Sequence, residues 1–269
     1  MASRDIRWTL SDLTRAVVWC RSRNEQSIRC ILHMLGEYAA DESATFAALE
    51  KNIALFRTID RFGLQAAVSV KLSELGALID RDLCREHVLT LISEAASRNI
   101  GFEIDMEGAG MVPFTLQTAR FCRKQGYPVT VTIQAYLDRT IADLSRLQKD
   151  GVRVRLVKGA YRGDIDGYEE IRDRLKRCII RAQDGSTAFA VGTQDPEIIG
   201  WMAESLQDER HHIHLGFLMG LADQTKEDLA GRGWNVWEYL PIGSDTGPYS
   251  TRRERYLAEL REMGKEPLP

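Results

Sequence analysis

Short runs of β-branched and aromatic residues recur eight times along the chain, and each is followed by a stretch with helical spacing. Such runs are typical of buried strands. They lie at Ser27–Met34, Ala66–Lys71, Gly101–Met106, Val129–Gln134, Val152–Val157, Ala188–Gly192, His212–Phe217 and Asn235–Leu240. Strict alternation of strand and helix predicts a parallel sheet, because parallel neighbours need a crossover connection.

The intervening segments carry helix signals. Glu42–Arg61 and Asp82–Ser97 place apolar residues at i, i+3 and i+4 steps. Asp195-Pro196 predicts a helix start, with an aspartate cap followed by a proline whose missing N–H costs nothing. Thr225 and Asp228 resemble a capping box in which aspartate takes the usual glutamate position.

Eight such units within 269 residues match the size of a (β/α)₈ barrel. We therefore predict an α/β fold of the TIM-barrel type, with a barrel catalytic domain at residues 26–269. A doubly wound sheet is the alternative. Residues 1–25 are expected to form a short N-terminal helical extension, in which the helix Asp12–Arg23 covers the lower end or the side of the barrel.

Bulk properties exclude several classes of protein. A net charge of -3 and a pI near 6.0 leave no electrostatic footprint for nucleic acid. No apolar run reaches spanning length, and Met1–Leu10 lacks the apolar core of a signal peptide. The five cysteines are odd in number and scattered. They indicate buried, reduced thiols in a cytoplasmic protein, with peripheral contact to a membrane left open.

Polar and ionisable side chains concentrate where the predicted strands end. They are Lys71, Asp105, Gln134, Lys158, Tyr161, Thr193, Gln194 and Tyr239. In a parallel barrel all strands end on the same face, and the loops that leave this face carry the active site. We therefore expect these side chains to line one site.

Two cationic segments suggest what this site binds. Arg155 and Lys158 lie within or just past a strand that should be buried, and a buried cation is costly unless an anion meets it. Arg252 and Arg253 follow Tyr249, and adjacent arginines suit a carboxylate held through both oxygens. The sequence thus indicates a small anionic substrate and an anionic cofactor.

Each of these residues also has a structural interpretation. Lys71 suits the solvent-exposed end of a strand, Asp105 suits a solvated loop, and Arg252 and Arg253 suit an exposed helix face. The glycines of the preceding loop, residues 243–249, favour the functional interpretation, because they let the backbone bring the arginines inward.

Other motifs carry weaker signals. Gly108-Ala-Gly110 lacks the third glycine of a dinucleotide-binding fingerprint, since Pro113 occupies that position, and the sequence has no P-loop. His212 and His214 share a strand face while His211 lies on the other, and no other strand offers an H-x-H pair. We interpret them as strand and loop histidines and expect no metal site.

Residues 26–258 resemble the proline dehydrogenase family. The most specific part of the resemblance is Arg155-Leu-Val-Lys-Gly-Ala-Tyr161. Supporting segments, in the order of the family, are Leu35-Gly-Glu37, Ser69-Val-Lys-Leu-Ser73, Ile104-Asp-Met-Glu107, Gln134-Ala-Tyr136, Tyr239-Leu-Pro241 and Tyr249-x-x-Arg252-Arg253. The resemblance implies a flavin-dependent barrel that oxidises L-proline to 1-pyrroline-5-carboxylate, by hydride transfer from C5 to flavin N5.

The resemblance also implies roles for individual residues. Arg155 would approach flavin N5, and Gln134 would meet the pyrimidine edge of FAD. The remaining cofactor contacts would be Lys158, Gly159, Ala160, Thr193, Gln194 and Asp195. Arg252 and Arg253 would pair with the proline carboxylate. The ring would be enclosed by Tyr161, Tyr239, Tyr249 and, on its apolar side, Leu156. Lys71 and Asp105 would form an ion pair at the floor of the pocket.

This sequence departs from the family pattern on the cofactor side. Thr193-Gln194-Asp195 replaces a T-H-N or T-H-D motif, and His214-Leu215-Gly216 replaces E-F-Q. Tyr256 replaces a glutamate, and the loop after Tyr161 is shorter. An FMN-like binding mode is therefore the alternative to FAD.

Other functions stay open at this stage. They are oxidation of another cyclic or secondary amino acid, a flavin-less barrel that binds amino acids, and a Schiff-base lyase acting through Lys71 or Lys158. The expected substrate is L-proline or a similar small amino acid. The sequence does not identify the electron acceptor, for which a quinone is one candidate.

Overall fold

Eight parallel strands close into a barrel in sequence order. The computed structural model describes residues 8–185, 187–243, 247–264 and 266–269. The strands are β1 (Arg29–Met34), β2 (Ala66–Val70), β3 (Gly101–Ile104), β4 (Thr130–Gln134), β5 (Arg153–Val157), β6 (Phe189–Gly192), β7 (Ile213–Leu218) and β8 (Asn235–Ile242). Pairing of β1 with β8, with Ile31 opposite Tyr239, completes the barrel. The predicted TIM-type barrel is confirmed, and the doubly wound alternative is wrong.

Helices follow the strands around the barrel. They are α1 (Leu13–Glu25), α2 (Glu42–Phe62), α3 (Arg81–Ser97), α4 (Val112–Lys124), α5 (Thr140–Lys149), α6 (Tyr168–Gln183), α7 (Pro196–Ser205), α8 (Asp223–Gly231) and α9 (Gly247–Glu262). Asp195 caps α7 as predicted, because its side chain accepts from the backbone N–H groups of Glu197 and Ile198. The prediction of a capping box at Thr225 is wrong. Helix α8 begins two residues earlier, and the Thr225 hydroxyl donates to the Pro269 carbonyl.

Period-two alternation in β5 separates the barrel interior from the hydrophobic core outside it. Arg155 crosses the interior to the carboxylates of β3 and the loop after it. Leu156 therefore lies on the opposite face, where it is 1% exposed and packs in the core between strands and helices. The prediction that Leu156 lines the substrate pocket is wrong, because a strand cannot point two consecutive side chains to the same side.

Helix α1 packs against the side of the barrel along β1 and β8. Arg23 is held there by carboxylates of two elements, with Nη2 2.5 Å from Asp223 of α8 and Nε 2.9 Å from Glu238 of β8. The Trp19 indole donates to the same Glu238 at 2.7 Å. Of the two places expected for this helix, the structure shows the side.

Helix α9 lies across the carboxyl-terminal mouth of the barrel. Arg252 donates to Glu37 in the loop after β1 at 2.7 Å. Arg255 donates to the carbonyl of Ala160 after β5, and Tyr256 donates to the carbonyl of Gln194 after β6. The helix thus contacts the exit of β1 and, across the mouth, the exits of the neighbouring strands β5 and β6. Across the described residues, no helix is long and apolar enough to cross a bilayer.

Candidate active site

Arg155 occupies the centre of the barrel interior. It is 6% exposed and forms an ion pair with Asp105, while its Nε lies 3.2 Å from Glu103. The second oxygen of Asp105 accepts a hydrogen bond from the Tyr239 hydroxyl at 2.6 Å. Burial is the largest effect and opposes ionisation of Asp105, but Arg155, neighbouring cationic groups and the Tyr239 hydrogen bond together hold the pKa of this carboxyl below its usual value.

Lys71 pairs with Glu37 rather than with Asp105. Glu37 reaches in from the loop after β1 and accepts from both Lys71 and Arg252. The predicted ion pair between Lys71 and Asp105 is wrong: Lys71 pairs with Glu37, and the two oxygens of Asp105 accept from Arg155 and Tyr239. Burial raises the pKa of Glu37, but Lys71 and then Arg252 outweigh it, and the net shift is downward.

The two arginines of α9 differ in their surroundings. Arg252 is partly exposed, and its Cζ lies 5.5 Å from the ring centroid of Tyr161. Arg253 is 3% exposed and donates to the Tyr249 hydroxyl. Its Nη1 is buried and has no hydrogen-bond partner among the described residues. A buried charged donor without an acceptor is costly, so this atom indicates where an anionic ligand group would bind.

Lys158 and Asp195 form an ion pair beside the barrel mouth. The Tyr168 hydroxyl donates to the same carboxylate at 2.6 Å, and its ring lies 3.7 Å from the Lys158 Nζ. The Thr193 hydroxyl accepts from the Asp195 backbone N–H. Burial opposes ionisation of Asp195, but Lys158 lowers its pKa below the usual value. The ion pair connects the loop after β5 to the loop after β6, and the side chains of both loops form one polar wall.

Tyr136 organises the loops after β4 and β5. Its hydroxyl donates to Gln134 Oε1 at 2.7 Å and accepts from the backbone N–H of Tyr161 at 3.0 Å. The other end of the Gln134 amide donates to the Glu107 carbonyl. Gly159 packs against the ring with φ +135, and a Cβ at this position would lie 1.8 Å from Tyr136. Only glycine is compatible with this contact.

The predicted site residues other than Leu156 lie in the barrel interior or at its carboxyl-terminal mouth. They are Lys71, Asp105, Gln134, Arg155, Lys158, Gly159, Ala160, Tyr161, Thr193, Gln194, Asp195, Tyr239, Tyr249, Arg252 and Arg253. Part of the loop at 243–249 falls outside the described residues, so its expected role in turning the arginines inward stays a prediction. The roles of the individual residues at this site also stay predictions.

Several residues of the site were not anticipated. Glu37 lies in the family-like segment Leu35-Gly-Glu37, but nothing local indicates its partners. His33 is buried on β1, 3.0 Å from the Ser69 carbonyl, and burial followed by Lys71 lowers its pKa to about 4. Leu218 shares the interior face of β7 with Gly216 and pairs with Tyr239 across the strands. Alternation along β1 and β7 would have identified the last two.

The chain resembles known proteins along most of its length. A family model described as "Proline dehydrogenase" matches residues 17–165. Proline dehydrogenase 2 of Bacillus subtilis (strain 168) is 28% identical over 250 residues, which are 90% of this chain and 82% of the relative. Proline dehydrogenase of Deinococcus radiodurans is 25% identical over 242 residues, which are 82% of this chain and 76% of the relative.

Solved structures of proline utilization A (PutA) share the fold. The protein from Bdellovibrio bacteriovorus, inactivated by N-propargylglycine, superposes with a TM-score of 0.84 at 17% identity. That match covers 94% of this chain but only 32% of the PutA chain. PutA from Corynebacterium freiburgense gives a TM-score of 0.79, again at 17% identity, over 94% of this chain and 31% of the other. Since the family model covers more than half of the sequence, the chain belongs to the proline dehydrogenase family.

Proposed function

We propose that this protein oxidises L-proline to 1-pyrroline-5-carboxylate, with FAD as the hydride acceptor. The observation that carries the proposal is the buried Arg253, whose Nη1 has no acceptor in the described part of the chain. It lies beside Arg252 and Tyr249 on a helix that crosses the barrel mouth. This is the place where a small carboxylate would satisfy the free donor and be held by two cations.

The substrate would be held between α9 and the residues at the mouth of the barrel. Arg252 is joined through Glu37 to Lys71, so the helix is tied to the exits of β1 and β2. Tyr161, Tyr239 and Leu218 present flat or apolar surfaces that suit a pyrrolidine ring. Fixing the carboxylate at one end and the ring at the other supports catalysis through positioning, which requires no nucleophile.

The amine nitrogen must be neutral when the hydride leaves. The Tyr239 hydroxyl donates its hydrogen bond to Asp105, which leaves its oxygen lone pairs as acceptors for an N–H group. Burial raises the pKa of Tyr239, so the phenol stays protonated and keeps this orientation. Asp105 and Arg155 hold the phenol in place. We infer that Tyr239 orients the substrate nitrogen and does not accept its proton permanently.

The barrel interior fits a planar cofactor. Gly192 of β6 and Gly216 of β7 are paired side by side, and a Cβ on Gly216 would lie 3.5 Å from the Gly192 Cα. The wall at these two positions carries no side chains and is flat, while Gln134 and Arg155 provide donors nearby. A bound flavin would supply the acceptor for the hydride from C5. We propose FAD rather than FMN, because Lys158, Thr193 and Asp195 extend the polar wall beyond the barrel axis.

A direct test is anaerobic titration of the purified protein with L-proline. The flavin absorbance should bleach as proline is added. A colourless protein that takes up no added FAD would defeat the proposal. Mass spectrometry of the cofactor released by denaturation distinguishes FAD from FMN. A panel of cyclic and secondary amino acids, compared by kcat/KM, shows whether proline is the preferred substrate.

We propose a quinone as the electron acceptor, a role that rests on the family resemblance. Reoxidation of the proline-reduced enzyme should be faster with a short-chain ubiquinone than with dissolved oxygen. Equal or faster reoxidation by oxygen would contradict this proposal without affecting the proposed substrate.

A further inference from the structure

A polar cavity lies in the amino-terminal half of the barrel and extends as far as Arg155 and Gly216, which also border the candidate active site. Its volume is about 60 Å³. Gly101, Thr130 and Arg153 line it, and each is the first residue of its strand. Small side chains at Ala67 and Ala190 leave the space open. The cavity has room for roughly four water-sized groups, which is the size of a small oxyanion.

Arg153 is a cation without a partner in this cavity. It lines the space from β5, yet its side chain forms no hydrogen bond or ion pair with any group of residues 8–185, 187–243, 247–264 and 266–269. Its neighbour on the same face, Arg155, is by contrast paired with Glu103 and Asp105. A partly buried guanidinium favours an anion, because its desolvation is otherwise uncompensated.

Two neutral donors stand beside this cation. Trp237 and His214 stack with their ring centroids 5.7 Å apart, and both line the cavity. The Trp237 Nε1 is buried and has no acceptor among the described side chains and backbone groups. Burial, followed by Arg29 and Arg153, lowers the pKa of His214 to about 4, so its ring is neutral near pH 7. A neutral imidazole can donate to an oxyanion without adding charge.

The local charge balance also favours an anion. Arg29 lies at the same pole, with its Cζ 5.5 Å from the Trp237 ring centroid. Arg153 and Arg155 balance the two interior carboxylates, Glu103 and Asp105, and the solvent-exposed Arg29 adds a further positive charge at this pole. Glu103 is the only carboxylate among the described residues that line the cavity, and it faces Arg155.

We propose that this amino-terminal cavity binds a small oxyanion, such as a phosphate or a carboxylate, between Arg153, His214 and Trp237. The ligand would receive a charged hydrogen bond from the guanidinium and neutral ones from the two rings. The ion would contact residues near the amino-terminal ends of the strands, whereas proline would bind at the carboxyl-terminal mouth, so the site does not depend on the proposed reaction.

Isothermal titration of the full-length protein with inorganic phosphate tests this proposal, and acetate in a parallel titration distinguishes a tetrahedral from a planar oxyanion. We expect saturable binding of one ion. Arg153→Gln should weaken it by at least about tenfold, the loss typical of a hydrogen bond to a charged group. Trp237→Phe keeps an aromatic ring but removes the N–H donor, and it should weaken binding less than Arg153→Gln. Arg57→Gln, on the exposed face of α2, is the matched control and should bind normally.

Arg252→Ala separates the two poles of the barrel. Binding that persists in Arg252→Ala and is lost in Arg153→Gln supports the amino-terminal site. Binding that is lost in Arg252→Ala but kept in Arg153→Gln would assign the ion to the candidate active site and overturn the proposal. The absence of saturable binding of either ion to the unmodified protein would also overturn it. Circular dichroism of each variant verifies that it is folded.

Discussion

Gly159 shows how one residue determines the path of a loop at the site. Its φ is +135, and the ring of Tyr136 occupies the place of a Cβ. In Gly159→Ala the loop must move, because an added carbon would stand 1.8 Å from a buried ring. We expect flavin content to fall severalfold and the melting temperature to drop by several degrees, which flavin absorbance and calorimetry would measure.

Gly110→Ala is the matched control for this prediction. A Cβ added at Gly110 would have no neighbouring atom within 4 Å, and the backbone there is not left-handed. Its substitution should leave flavin content and melting temperature nearly unchanged. If Gly159→Ala behaved like this control, the contact with Tyr136 would not constrain the loop.

Arg253 is the residue on which the proposed substrate grip depends most. Arg253→Ala removes the buried donor, and it should raise KM for proline by about two orders of magnitude, as is typical for truncating one partner of a buried charge pair. Flavin content should stay unchanged. Arg261→Ala, on the exposed end of the same helix, should have the KM of the unmodified enzyme. Equal KM values in the two variants would remove Arg253 from the substrate site.

At the scale of elements, the first and last helices differ in where they pack on the barrel. Helix α9 follows β8 but lies across the mouth, where it contacts the exits of β1, β5 and β6. Helix α1 packs instead along β1 and β8. Helix α1 thus covers the barrel side next to β1 and β8, and α9 covers part of the mouth.

The attachment of α1 depends on a buried charge network around Glu238. Glu238 is fully buried and pairs with both Arg23 and Lys226. Arg23→Met should lower the free energy of unfolding by about 3 kcal/mol, because it leaves buried carboxylate groups short of a partner. Arg15→Met, on the exposed face of the same helix, should change it by less than about 0.5 kcal/mol. Denaturant unfolding of both variants measures the difference, and equal values would show that the network contributes no net stability.

For the whole molecule, Glu74 gives stability a dependence on pH. It is 6% exposed and packs against Gly36, and burial raises its pKa to about 8, against the opposing effect of Lys71. The unfolded chain releases this proton near pH 4.5, whereas the folded protein keeps it. The contribution of Glu74 to stability is therefore full below pH 4.5 and is lost as the pH rises toward 8.

Glu74→Gln should remove the loss of stability between pH 4.5 and pH 8, because the amide is neutral at every pH. We expect the variant to be more stable than the unmodified protein at pH 8, by a few kcal/mol, and of equal stability at pH 4.5. Glu50→Gln, an exposed substitution on α2, should show no such divergence. Parallel curves of unfolding free energy against pH for Glu74→Gln and the unmodified protein would contradict this assignment.

Local patterns in the sequence were sufficient for the strands, for most of the helix starts and for the barrel. Strand periodicity and the Asp195 cap depend on residues that are close together in the chain, so they can be recognised without the fold. Alternation within one strand would also have placed Leu156 outside the pocket once Arg155 was assigned to the interior. The positions of the polar strand ends then follow, because parallel strands all end on one face.

Which charged side chains pair with one another, however, could be read only from the tertiary structure. Glu37 joins Lys71 and Arg252, and the last of these is 215 residues away from it. Sequence offered Asp105 as an equally charged partner for Lys71, and nothing local distinguishes the two carboxylates. The crossing of the mouth by α9 and the surroundings of Arg153 at the other pole depend in the same way on which loops and strands meet in space. Burial and distance decide between groups of equal charge, and both are properties of the folded chain.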